Sequence, residues 1–182
     1  MDDPSTGLLI GSIFGMIFLS AYFSGSETAM MALNRYRLRH LANEGHRSAK
    51  IAERLLERPD RLLGVILIGN NLVNFSAASV ATLIALELFG EAGVVFAPVV
   101  CTILFLVFAE VAPKTISAAF PEKVALPSSY ILRGLLWILF PLVWAVNGFA
   151  NAMLRLIGIR HDEVEEDTLS PEELRTVVFE GS

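Results

Sequence analysis

The stretch LLIGSIFGMIFLSAYFSGSETAMMAL, Leu8 to Leu33, decides the fold. It is 26 residues long with one charged side chain, Glu27, and an apolar run of about 20 residues is enough to cross a bilayer as a helix. Its second half nevertheless gathers Ser20, Ser24, Ser26, Glu27 and Thr28 around Gly25. Polar groups at that depth survive where protein or a cavity shelters them from lipid. The segment therefore predicts a membrane helix whose polar face meets other helices.

The whole chain agrees. Of its 182 residues 54% are apolar and 18% charged, with a mean hydropathy of +0.58, a membrane composition. Two further runs, 62–89 and 94–113, complete three expected spans with 8–33. The link between the first two carries eight Lys/Arg (Arg35, Arg37, Arg39, Arg47, Lys50, Arg54, Arg58 and Arg61), whereas FGEAG between the second and third carries none. The positive-inside rule makes the basic link cytoplasmic, with the N-terminus outside and the C-terminus in the cytoplasm of a multi-pass protein of the inner (plasma) membrane. Within the link, Asn34 can cap a helix over about 35–57 with an apolar stripe of Leu38, Leu41, Ile51, Leu55 and Leu56, ended by Pro59. Such a helix lies on the inner face.

The region 126–159 is interrupted by Arg133, Pro141 and Asn147 and predicts a broken interfacial or re-entrant pair. Residues 1–160 thus form a transmembrane domain. Beyond it, 161–182 is expected to begin an acidic cytoplasmic helical region, with Ser170-Pro171-Glu172-Glu173 as its capping box. The fold class expected is all-α integral membrane: three transmembrane helices, cytoplasmic amphipathic or juxtamembrane helices, and the start of an acidic helical bundle. The net charge of -5, with its acidic end, speaks against nucleic acid as a partner. An acidic MDDPSTG start speaks against a cleaved signal peptide. The single cysteine, Cys101, admits neither an intrachain disulfide nor a cysteine zinc site.

The chemistry lies in the polar residues of the spans. Ser20 and Ser24, and likewise Asn70 and Asn74, are four apart, so each pair shares a helical face. Glu110 stands three residues before Pro113, and a carboxylate at membrane depth costs about 2.5 to 3.5 kcal/mol on insertion scales. The apolar runs hold no Lys or His to neutralise it; a bound cation is the economical partner. Pro113 is expected to free the carbonyl of Ala109, and Ser-Gly-Ser to kink the first span and release further carbonyls. Hydroxyl, carboxamide, carbonyl and carboxylate oxygens suit Mg²⁺, Ca²⁺ or Na⁺. One full charge leaves a divalent ion incompletely neutralised, which favours release and hence transport.

Other readings stand beside these. Serine and asparagine also act as hydrogen-bonding glue between membrane helices. Glu27 suits a boundary cap or ion pair, Asn71 a packing group, and Ser26 either adhesive or ligand. A serine hydrolase lacks a histidine or lysine base at the depth of Ser24 and Ser26, so the protein is not expected to be an enzyme. A non-transporting divalent-cation sensor or membrane scaffold is the alternative to a transporter.

The blocks SAYFSGSETAMMALNRYRLRHLA (20–42), LIGNNLVN (67–74) and FAEVAPKTISA (108–118) resemble, in this order and spacing, the membrane domain of the CorC/cyclin M (CNNM) family of magnesium transport proteins. The resemblance covers nearly the whole chain. It implies a homodimer with three membrane helices per subunit, a juxtamembrane helix, a belt-like segment and an acidic bundle. It also implies Na⁺-coupled Mg²⁺ export through an ion site on Ser20, Ser24, Asn70, Asn74 and Glu110, with Ser26, Glu27, Asn71, Ala109 and Pro113 as secondary positions. Family proteins continue into paired CBS modules, which the chain lacks, so it reads as part of something longer.

Overall fold

A computed structural model describes residues 4–156 of the chain. The expected acidic helix over 161–182 lies outside the described residues. The elements are α1 (Pro4–Ala32), α2 (Arg35–Asn43), α3 (Arg47–Leu56), α4 (Pro59–Phe89), α5 (Glu91–Leu104), a π-helical segment (Phe105–Val111), α6 (Ala112–Ala119) and α7 (Pro121–Leu156). The described residues contain no strand, and the protein is an all-α membrane protein. Four helical stretches, Gly7–Ala32, Pro59–Phe89, Glu91–Ala119 and Pro121–Val146, are long and apolar enough to cross a membrane.

The chain divides into two compact units, Met1–Phe140 and Pro141–Ser182. In the first, α1 packs along α4, the π segment and α6, while α4 and α5 form an antiparallel hairpin through Gly90, whose φ of 64° is left-handed. The hairpin closes tightly: a Cβ on Gly93 would collide with the Ala85 carbonyl oxygen. The main core sits at the basic end, where Phe23, Met30 and Leu33 of α1 and its exit meet Leu38, Ala52, Leu55, Leu62, Ile66 and, from α7, Ala125 and Leu132.

Several local expectations change. Ser24-Gly25-Ser26 does not break α1, which runs 29 residues. Instead, Gly25 lets α6 approach, since a Cβ there would stand 2.9 Å from Ser117 Oγ and 3.6 Å from Pro113 Cβ. The amphipathic helix expected over 35–57 is two helices. Asn34 caps the first as expected, accepting from the Tyr36 and Arg37 amides. It ends in a Schellman motif: Gly45, at φ 97°, donates to the Ala42 carbonyl and His46 to the Leu41 carbonyl. Only glycine takes that backbone at no steric cost, so the chain turns there and the two apolar faces fold onto one core.

The third apolar run does not stop at 113. It continues through Pro113 to Ala119, because the backbone widens first into a π register. The broken pair expected over 126–159 is replaced by one helix, Pro121–Leu156. A proline removes one backbone bond, and the helix runs on through Pro141 without ending there. Arg133 causes no interruption either, since its side chain is exposed.

Candidate cation site

The site begins with the four-residue spacing on α1 and α4. Ser20, on α1, is fully buried, and its Oγ lies 2.8 Å from Asn70 Oδ1 and 2.7 Å from Asn74 Oδ1. A hydroxyl carries one hydrogen to donate. It serves one of these carboxamide oxygens at a time, and the NH₂ group of either asparagine can turn to face the Ser20 oxygen, so the three side chains form one adjustable polar cluster. Helix geometry produces the convergence: Asn70 and Asn74 are stacked one turn apart on the α4 face that meets Ser20.

One turn along α1, Ser24 Oγ is buried and has no hydrogen-bond partner. Leaving a buried hydroxyl unsatisfied costs about 1–3 kcal/mol. Two positions further, Ser26 is equally buried but fully engaged. It donates to the Tyr22 carbonyl oxygen at 2.6 Å and lies 3.2 Å from Ser128 Oγ on α7.

Glu110 is half-buried in the π segment and lines, with Asn74, a cavity of about 310 Å³. The cavity is walled by Phe75, Ala78, Pro98, Cys101, Thr102, Phe105 and Leu106. The π register places Glu110 there. Its last bond joins the Ala112 N–H to the Val107 carbonyl, five residues back. The carbonyl freed from Pro113 was expected to belong to Ala109, on the assumption of an α-helix; with the π segment this assumption fails. Ala109 itself is fully buried, against Ala77 and Phe105.

Of the expected positions, then, Ser20, Asn70 and Asn74 are in mutual contact, and Asn74 shares a cavity with Glu110. Ser24 is the unsatisfied group on the Ser20 face. Ser26 is withdrawn from the site: its proton goes to the Tyr22 carbonyl of its own helix, and its oxygen meets Ser128 Oγ on α7. Asn71 is exposed, pointing off the Asn70/Asn74 face. Glu27 is half-buried near the end of α1, with no ion pair among the described residues. Among the described residues no three His, Cys, Asp or Glu side chains form a metal-holding group, so any cation here is held chiefly by neutral oxygens.

Some polar groups were not anticipated. Ser128 and Ser129 on α7 are buried; the Tyr22 hydroxyl donates to the Ser128 carbonyl, and the Ser129 hydroxyl lies 2.7 Å from the Leu126 carbonyl oxygen and 3.2 Å from that of Ser48, with one proton to give. A serine pair inside LPSSYIL was the available signal. Thr102, on the cavity wall, has its proton committed to the Pro98 carbonyl at 2.7 Å, leaving its oxygen free to accept.

Comparison with known proteins adds the family. A model of the cyclin M transmembrane N-terminal domain matches residues 11–182. The chain is 53% identical over 181 residues to the UPF0053 inner membrane protein YfjD of Escherichia coli (strain K12), covering 100% of this chain and 42% of that protein. It is 50% identical over 181 residues to a UPF0053 protein of Haemophilus influenzae, at 100% and 43% coverage. A polyamine export protein of Salmonella typhimurium is 33% identical over 194 residues, at 93% and 40% coverage. The chain thus spans about two-fifths of the length of these curated relatives.

Proposed function

The chain belongs to the cyclin M transmembrane-domain family, and on that premise we propose that it is the membrane domain of a secondary transporter that exports Mg²⁺ from the cytoplasm, driven by Na⁺ entry. The observation carrying the proposal is the gathering of oxygens around Ser20. Its hydroxyl meets two carboxamide groups, with the buried Ser24 hydroxyl, unpartnered among the described residues, on the same helical face. A cation would find the Ser20, Asn70 and Asn74 oxygens already drawn to one point, and Ser24 with no other bond to give up.

In this reading Glu110 supplies the charge, Asn74 joins its cavity to the Ser20 cluster, and Ser24 and Asn70 complete the shell. Mg²⁺ takes about six oxygens at roughly 2.0 to 2.1 Å and is reluctant to lose water, so water in the cavity fills the positions that protein oxygens leave. A site within the membrane is reached from one side at a time, which calls for alternating access. The protein acts as a homodimer in the inner (plasma) membrane, N-terminus outside and C-terminus cytoplasmic, and is not an enzyme.

The name of the Salmonella relative favours a second reading, with a polyamine as cargo. A carboxylate beside carboxamide and hydroxyl acceptors also suits an alkylammonium group, which offers only donors, and the apolar cavity walls suit its methylenes. A cation sensor that binds without moving its ligand is the third.

Flux in proteoliposomes separates them. Gradient-driven Mg²⁺ movement that is lost in Glu110→Gln, Asn74→Ala and Ser24→Ala supports Mg²⁺ transport. Movement of labelled spermidine without Mg²⁺ supports the polyamine reading. Saturable binding with no movement of either leaves the sensor.

A further inference from the structure

We propose that Pro113 is a positioning residue: by holding the π register over Phe105–Val111, it aims Glu110 into the cavity it shares with Asn74. The affinity arm of this inference rests on the cation-site reading above; the register itself does not.

In an α-helix the N–H of residue 113 would bond to the Ala109 carbonyl. Proline has no N–H, and its ring presses on that carbonyl. Immediately before the proline the segment bonds five residues back instead of four, from the Ala112 N–H to the Val107 carbonyl; in that register the carbonyl opposite the missing N–H is that of Phe108, and the Ala109 carbonyl no longer has to sit under the ring. A π bulge accommodates an extra residue along the helical path, and each residue of an α-helix turns the side chains by about 100°. Collapse to α geometry would therefore rotate one side of the bulge against the other by roughly that angle.

Both flanks are anchored, so the rotation falls on the residues between. Downstream, Pro113 and Ser117 press against Gly25 of α1, at the turn that carries the unpartnered Ser24. Upstream, Gly93 is held against Ala85, and Phe105 is buried with Ala77. Glu110 lies inside the bulge, and its place on the cavity wall follows from the extra residue. Val107 and Phe108, on the same segment, face outward and are exposed.

Alanine restores the missing N–H and is the best helix former, so Pro113→Ala favours the α register. Deleting Val107 in that variant removes the surplus residue and lets both flanks regain their original packing. The register is read with a cysteine pair, Asn74→Cys with Glu110→Cys, in a Cys101→Ala background, bridged by a short bifunctional thiol reagent. The expected result is efficient bridging with Pro113, loss to background in Pro113→Ala, and recovery on deleting Val107. In the Cys101→Ala chain with Asn74 and Glu110 intact, calorimetric Mg²⁺ affinity should fall by about 10- to 100-fold in Pro113→Ala and recover with the deletion.

Bridging in Pro113→Ala equal to that of the parent overturns the proposal, as does absence of bridging in the parent. Failure of the deletion to restore bridging in protein that still elutes as the parent does reduces Pro113 to general support and also overturns it. If bridging follows the expected pattern and no variant, parent included, binds Mg²⁺, the register inference stands and the Mg²⁺ reading fails.

Discussion

Two serines of α1 that are two residues apart, Ser24 and Ser26, separate two kinds of polar packing in this molecule. At the basic end, Ser26, Tyr22, Ser128 and Ser129 form hydroxyl contacts in which every proton has an acceptor, tying α1 to α7 and α7 to α3. Toward the π segment, Ser20 meets two carboxamides, and Ser24, equally buried, has no hydrogen-bond partner among the described residues. The serines of both regions are buried. What differs is the hydrogen-bond balance: a satisfied cluster is adhesive, and an unsatisfied one is receptive to something it does not contain.

The comparison can be broken in order of expected effect. Glu110→Gln removes the one charge of the receptive region. Loss of an ionic partner from a buried site costs on the order of 3 kcal/mol, so Mg²⁺ affinity measured by calorimetry should fall by ~100-fold, with thermal stability unchanged or higher. Gly69→Ala strikes the packed region, because its Cβ would stand 2.5 Å from the Phe23 ring. Overpacking should cost about 1–3 kcal/mol, read as a lower melting midpoint, while the affinity of the folded fraction stays at the parent value.

The two serines offer the sharpest pair. Ser24→Ala removes an unsatisfied hydroxyl and should leave stability equal or raised by up to about 1 kcal/mol, while weakening Mg²⁺ binding. Ser26→Ala should do the reverse, costing about 1 kcal/mol of stability with binding unchanged. If both variants lose binding equally, or both lose stability equally, the distinction between adhesive and receptive clusters fails. The smallest effect is expected from Asn34→Ala, which removes the α2 cap far from the site and should cost about 1 kcal/mol in thermal unfolding, with flux per folded molecule unaltered.

Much of the fold was readable because membrane spans announce themselves by length and apolarity, and because four-residue spacing puts side chains on one face. That spacing is why Ser20, Asn70 and Asn74 could be expected to meet. The division of labour between Ser24 and Ser26 could not be read, since it depends on Ser128 approaching from α7, more than 100 positions away in the chain. The turn at Gly45 was visible in NEGH but was outweighed by the apolar stripe running on either side of it. At Pro113 the missing N–H was weighed on the assumption of an α-helix, whereas the backbone just before it runs in a π register, which changes the carbonyl that faces the proline. Around Pro141, the loss of one backbone bond was read as a break, whereas the helix runs on through it.

Cys101 carries a practical consequence. It is the only thiol in the chain, and it borders two compartments, the cavity of Asn74 and Glu110 and a wholly different apolar groove of about 590 Å³ between α4 and α5. An environment-sensitive fluorophore attached to the native sulfur would look into both without any engineered mutation, and its emission would distinguish a watery surrounding from a hydrocarbon one.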